Sequence, residues 1–248
     1  MKATLLGGAA ATLLSVSAFG ADLGLPPAAA PLPPFSWTGC YGGGQVGGGF
    51  GQKDLTDTVG TFAGFSGFAS ANLNISGYML GAQIGCDYQF ASNWVIGIEG
   101  AAAGGNIGGN TAVVQPGAIA GDSATFKETT DFLTSTTARI GFAWDHWLLY
   151  AKGGGAWAGD RYSAIGVFQG TPYDLEGLET RLGWTAGGGI EWALWQSWSV
   201  KLEYDYYGFG SRSVTFIDPN TGNTGPANIK QNIQVIMLGL NFHPSFGP

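Results

Sequence analysis

Residues Trp198 to Tyr206 read WSVKLEYDY. Trp198, Val200, Leu202, Tyr204 and Tyr206 share one parity, and Ser199, Lys201, Glu203 and Asp205 share the other. Successive side chains on a strand point to opposite faces, so this stretch predicts a strand with one apolar and one charged face. The same split recurs upstream. Tyr78, Leu80, Ala82, Ile84, Cys86 and Tyr88 alternate with Gly77, Met79, Gly81, Gln83, Gly85 and Asp87. It returns at Trp94-Ile96-Ile98, at Ala138-Ile140-Phe142-Trp144, at Leu182-Trp184-Ala186-Ile190-Trp192 and at Ile236-Leu238-Leu240-Phe242. Glycine-rich stretches near Thr38–Phe50 and Trp147–Trp157 supply two more strands. That makes eight.

The connections alternate in length. Phe90 to Trp94, Trp144 to Trp147 and Trp192 to Trp198 are tight, whereas 51–75, 103–131, 158–180 and 209–231 are long and rich in Gly, Thr, Asn, Ser and Asp. Short turns on the periplasmic side and long loops outside are the rule for outer-membrane barrels. Trp37, Trp94, Trp144, Trp147, Trp192 and Trp198, with Tyr88, Phe90 and Trp195, crowd the short-turn ends, where an interfacial aromatic girdle belongs. The expected fold is an all-β, eight-stranded, antiparallel, up-and-down transmembrane β-barrel over 37–242.

Composition decides which face meets what. Charged residues make up 11% of the 248 residues and aromatics 13%, with 44 glycines. Ordinary soluble domains carry about 25% charge. A water-soluble barrel would turn the apolar faces inward and coat itself with the charged ones, and this chain has too few charges for that. A narrow eight-stranded lumen suits small and paired polar side chains. No segment after the first 20 residues approaches the apolar run of about 20 that a membrane helix needs, which leaves a closed barrel as the spanning solution. The net charge of −7 argues against a nucleic-acid partner, whose phosphates require Lys and Arg.

The first 20 residues read as an export leader: Lys2, then a short apolar run from Ala3 to Leu14, then Ala18-Phe19-Gly20 before a cut at Ala21. Residues 21–36 form an Ala/Pro-rich periplasmic linker, since Pro26, Pro27, Pro31, Pro33 and Pro34 disfavour helix and ladder alike. Residues 243–248 form a short tail.

The run PPFSWTGCYGG at 33–43 and the stretches GYMLGAQIGCDYQF, TTARIGFAWDHWLLYAKGGGAWAG, LGWTAGGGIEWALWQSWSVKLEYDYYGFG and NIQVIMLGLNF resemble the small surface-antigen family of alphaproteobacterial outer-membrane proteins, which is related to the opacity-type barrels. The resemblance covers roughly 33 to Phe242. It implies an outer-membrane location and an eight-stranded barrel, with members described as porin-like, structural or host-interaction antigens. Such proteins end on an aromatic read by the barrel assembly machinery. Phe242 fits that part, although His243-Pro244-Ser245-Phe246-Gly247-Pro248 follows it.

The lumen-facing parity collects Asp87, Glu99, Glu191, Glu203 and Asp205 with Arg139, Lys152, Arg181 and Lys201. Unpaired charge is costly away from water, so ion pairs are expected. Glu191 should face Lys201 across the turn near Gln196, and Glu99 should pair with Arg139 on the neighbouring strand. A salt-bridged plug is favoured over an ion path, because eight strands leave room for little beyond side chains. Cys40 and Cys86 fall on antiparallel neighbours with outward parity. They read as a cross-strand disulfide or as two lipid-facing thiols.

Catalytic and metal sites are not expected, nor is a cofactor. His146 falls in a short turn and His243 in the tail, so neither places a general base near the long loops. Asp54 with Asp57, and Glu176 with Glu179, read as solvated loop charges. Expected partners are outer-membrane lipid and lipopolysaccharide, the barrel assembly machinery, and host or cell-surface ligands met by the loops. The function expected is structural and surface-interactive, with a small passive diffusion pore as the alternative.

Overall fold

In the computed structural model the described residues are 35–56, 70–113, 123–168, 171–217 and 224–244. The leader, most of the linker, Asp57 and the end of the tail lie outside them. The strands are β1 (Gly39–Thr56), β2 (Ser70–Gln89), β3 (Trp94–Val113), β4 (Ser123–Trp144), β5 (Trp147–Phe168), β6 (Thr171–Trp195), β7 (Trp198–Ile217) and β8 (Thr224–Phe242). Each pairs antiparallel with its sequence neighbours, and β1 pairs with β8 from Gly42↔Phe242 to Thr56↔Asn228, so the sheet closes as a barrel. Closure leaves no exposed edge at membrane level.

The alternation points as the charges require. Val46, Leu80, Ile84, Ile98, Ile140, Leu149, Leu202 and Leu238 face outward and are exposed. Asp87, Glu99, Arg139, Lys152, Arg181, Glu191, Lys201, Glu203 and Asp205 face inward and are buried. In water this exterior would be a liability; against hydrocarbon it is the stable arrangement.

The tight turns share one construction. Asp145 and Asn93 take positive φ, which Asn and Asp tolerate through their short polar side chains. The carbonyls of Asn93, His146 and Ser197 accept bonds from the amides of Ala143, Ala193 and His243, each at 2.8 Å. Two of these turns are thereby tied to the strand beyond their own hairpin, and the third to the residue that follows β8.

The strands run further than the alternation does. Much of 51–75, 103–131, 158–180 and 209–231 is strand, and β5 and β6 stay paired up to Phe168↔Thr171. The cause is the change of solvent. Above the membrane the outer face meets water, so Lys127, Arg161 and Lys230 face outward there and the apolar signature that marks a lipid-facing strand disappears.

Candidate functional site: the barrel lumen

Trp94, Trp144, Trp192, Trp195, Trp198 and Phe242 form an exposed aromatic ring at the short-turn end, with half-buried Trp147 stacked on Trp192 at 5.4 Å. Trp198 and Phe242 meet at 5.0 Å. Trp37 does not belong to this girdle. It precedes β1, is 1% exposed, and turns into the periplasmic mouth beside Phe35 and His243, whose ring also meets Tyr41. Its amide donates to Gln89 Oε1 at 3.0 Å. The sequence signal for a girdle is position near a strand end, and that signal cannot separate an outward Trp from one that caps the lumen.

Above this mouth lies a layer of charge. Arg139 Nε donates to Asp87 Oδ1 at 2.7 Å, and its Nη2 contacts Asp87 Oδ2. Arg139 Nη1 reaches Glu191 Oε2 at 3.4 Å, and the guanidinium lies between the rings of Tyr41 and Tyr150 at 4.7 and 5.0 Å. Lys152 Nζ contacts Glu99, Glu203 and Asp205 at 3.0, 2.7 and 3.1 Å. Lys201 Nζ contacts Glu99 and Glu203 at 3.0 and 3.1 Å. Tyr41 and Tyr150 hydroxyls donate to Glu99 and Glu203. Fixed, multiply bonded charge of this kind is what makes burial tolerable.

Two expected pairs resolve differently. Glu191 and Lys201 are register partners, yet Lys201 goes to Glu99 and Glu203, while Glu191 accepts from Ser199 Oγ and Asn241 Nδ2 at 2.5 and 2.7 Å. In so narrow a barrel, side chains that reach inward meet strands across the lumen as readily as their neighbours. Glu99 lies 3.8 Å from Arg139, whose main partner is Asp87 on β2.

Arg181 is not part of this layer. It joins a second cluster in the extracellular half, which the sequence reading missed because Lys53, Glu128 and Asp160 lie in stretches taken as loop. Lys53 Nζ contacts Glu128 and lies 3.1 Å from Asp160 Oδ1, and Arg181 Nε lies 3.3 Å from Asp160 Oδ2. Thr130 Oγ1 donates to Asp160 at 2.6 Å. Between the clusters is an apolar belt of Met79, Leu133, Tyr207, Phe209, Ile233, Val235 and Met237. With Arg181 in the upper cluster, the lower layer sets five carboxylates against Arg139, Lys152 and Lys201. A cavity beside Gln45, Asp205 and Tyr207 measures about 10 Å³, about the space of one water molecule.

Cys40 and Cys86 are Cα partners on β1 and β2, 3.9 Å apart, and their sulfurs are bonded on the outer face. Of the histidines, His146 bonds Asp145 in its turn. His243 Nε2 contacts Ser199 Oγ at 2.8 Å and lies 3.7 Å from Glu191. Both partners approach the same ring nitrogen, whereas a serine–histidine–acid relay needs them on opposite ones. Glu176 and Glu179 sit on β6 with opposite parity rather than on a loop.

A closed antiparallel barrel with an apolar exterior, an aromatic ring at the tight turns and a polar interior defines an integral protein of the outer-membrane type. Residues 9–242 match the family model for the outer membrane protein beta-barrel domain, and the chain belongs to that family. It is located in the cell outer membrane. The 31 kDa outer-membrane immunogenic protein of Brucella melitensis is 29% identical over 98% of this chain and 99% of its own length, and the protein of that name from Brucella suis matches equally. Among solved structures, the outer membrane protease OmpT from Escherichia coli has a TM-score of 0.50 at 8% identity, covering 86% of this chain and 99% of its own. OprG from Pseudomonas aeruginosa has a TM-score of 0.49 at 15% identity, covering 85% and 99%. At 8% identity the likeness to OmpT concerns the fold alone.

Proposed function

We propose that this protein is a non-catalytic outer-membrane barrel whose lumen is closed by its own side chains and whose role is structural and surface-interactive. The observation that carries this reading is the stack of fillings along one narrow bore. Phe35, Trp37 and His243 sit at the mouth, the Arg139–Lys152–Lys201 layer above them, then the apolar belt, then the Lys53–Arg181 cluster. An eight-stranded barrel has an interior just wide enough for such side chains. The strands continue beyond the apolar band and carry polar residues into the medium, where cell-surface or host molecules and lipopolysaccharide would be met. The word immunogenic in the Brucella relatives' names agrees with a surface role. Phe242, closing β8 against Gly42 and Trp198, is proposed as the aromatic read by the barrel assembly machinery.

The competing reading is a small passive pore, and the excess of carboxylates in the lower layer favours it for cations. Swelling of vesicles in iso-osmotic solutions of small neutral and charged solutes tests the choice. Vesicles holding the folded barrel should swell no faster than empty ones; swelling that scales with barrel content would establish the pore.

A further inference from the structure

Most ladders of the barrel run without an internal break or with a short irregularity, although β2–β3 pairing stops at Ser76↔Gly108, short of both strand ends. The β6–β7 seam differs. Pairing rises from the turn to Trp184↔Gly208 and resumes only at Glu176↔Ile217, leaving 177–183 of β6 and 209–216 of β7 without register partners across the seam. Three further observations fall on the same stretch. Phe209 is the extra residue of a bulge against β8, followed by Gly210 at φ +64, a left-handed value that a side chain would oppose. The alternation of burial fails on β7, where Gly210, Ser211, Arg212 and Ser213 are all exposed. On β6, within the unpaired stretch, Leu178 is 76% exposed.

The seam begins just above Trp184, which packs with Tyr206 at 5.3 Å, and Thr185 Oγ1, which donates to the Tyr206 carbonyl at 3.0 Å. It therefore lies at or above the outer interface, where water can satisfy an open backbone edge; within hydrocarbon such an edge would be excluded.

One side chain spans the interruption. Arg181 of β6 is fully buried, and its Nη1 donates to the carbonyl of Ile229 on β8 at 2.8 Å. Ile229 is the register partner of Arg212 on β7, so this bond reaches past the interrupted edge to the next strand. Asp160 of β5 holds the other side of the guanidinium at 3.3 Å. A side-chain strut stands here where β5–β6 and β7–β8, on either side, keep a backbone ladder.

We propose that the β6–β7 seam is a lateral gate in the extracellular wall and that Arg181 is its latch. When the latch releases, β5–β6 parts from β7–β8 above Trp184. The two edges then face the medium with unpaired amides and carbonyls. The gate deepens the surface-interaction role proposed above and rests on it. It does not depend on whether the bore conducts.

Hydrogen exchange of the folded, full-length barrel in detergent micelles, read peptide by peptide, tests this. In the wild-type protein 177–183 and 209–216 should exchange faster than the continuously paired β5 stretch at 158–164. Arg181→Met should speed exchange at the seam by roughly tenfold, equivalent to about 1.4 kcal/mol of local opening, and leave 94–104 unchanged. Arg181→Lys, which keeps a donor, should fall between. Slow exchange at the wild-type seam would overturn the gate even if Arg181→Met failed to fold. A rise spread over all strands in either variant would make Arg181 an ordinary core residue and overturn the latch. Equal exchange in wild-type and Arg181→Lys proteins, with Arg181→Met also unchanged, would do the same.

Discussion

Arg139 on β4 grips Asp87 on β2 across the whole width of β3, with Nε donating to Oδ1 at 2.7 Å. The strand between them makes room with Gly97: a Cβ there would run into Asp87 Oδ1. An ion pair between next-nearest strands, and the glycine beneath it, belong to one device.

Arg139→Met should therefore be severely destabilising. It keeps the volume but strands Asp87 as a buried carboxylate without its cation and leaves Glu191 only the bonds from Ser199 and Asn241, a loss of about 3–5 kcal/mol. Gly97→Val should weaken the barrel by pushing Asp87 off the guanidinium with every charge still present. Both effects are read from denaturant unfolding in lipid vesicles and from the temperature at which the folded gel band is lost.

Trp37→Ala should cost about 3–5 kcal/mol, the range for emptying a buried aromatic site. If Trp37 belonged to the outer girdle instead, the loss would be small and would match that of Trp195→Ala. The two variants, unfolded side by side, separate a mouth-filling Trp from an interfacial one.

In the extracellular cluster, burial pushes the Glu128 carboxyl up from 4.5 to about 7, although Lys53 beside it pulls the other way. A carboxyl whose folded pKa is raised binds its proton more tightly in the folded than in the unfolded state. Its contribution to stability is thus complete below pH 4.5 and is lost as pH rises through about 7. Glu128→Gln should flatten that part of the stability–pH curve. Unfolding midpoints of both proteins across this window check it, and parallel curves would contradict it.

The Cys40–Cys86 bridge joins two strands that a continuous ladder already holds. Its loss through the paired serine substitutions should lower stability by no more than about 2–4 kcal/mol. Intact mass after alkylation of unreduced, denatured protein should show no added label. Two labels would replace the bridge with free thiols on the lipid face.

The membrane band was legible because the rule that made it is local. Ile84, Ile98, Leu202 and Leu238 must be apolar against lipid, so parity alone assigns their faces. Lys53, Glu128 and Asp160 were not legible. Above the membrane neither face keeps one character, with Phe126 and Ile229 turned inward and Ile165 and Leu178 outward, so nothing in Ser123–Asp131 marks Glu128 as facing the bore. Partners inside the bore were hidden for a second reason. Register sets Glu191 opposite Lys201, but lumen side chains choose among eight strands, and Lys201 finds Glu99 from β3. The same short reach across the bore brings His243 and Trp37, both outside the strands, into one mouth.

In the function proposed above, these fillings close the bore. Single-channel recording of the purified, folded protein in planar bilayers tests it most directly. The wild-type barrel should give no stable conductance steps, while a variant that empties the mouth and removes the two rings flanking Arg139, Trp37→Ala with Tyr41→Ala and Tyr150→Ala, should give them. Uniform, reproducible steps from the wild-type protein would contradict the closed lumen and make the protein a pore.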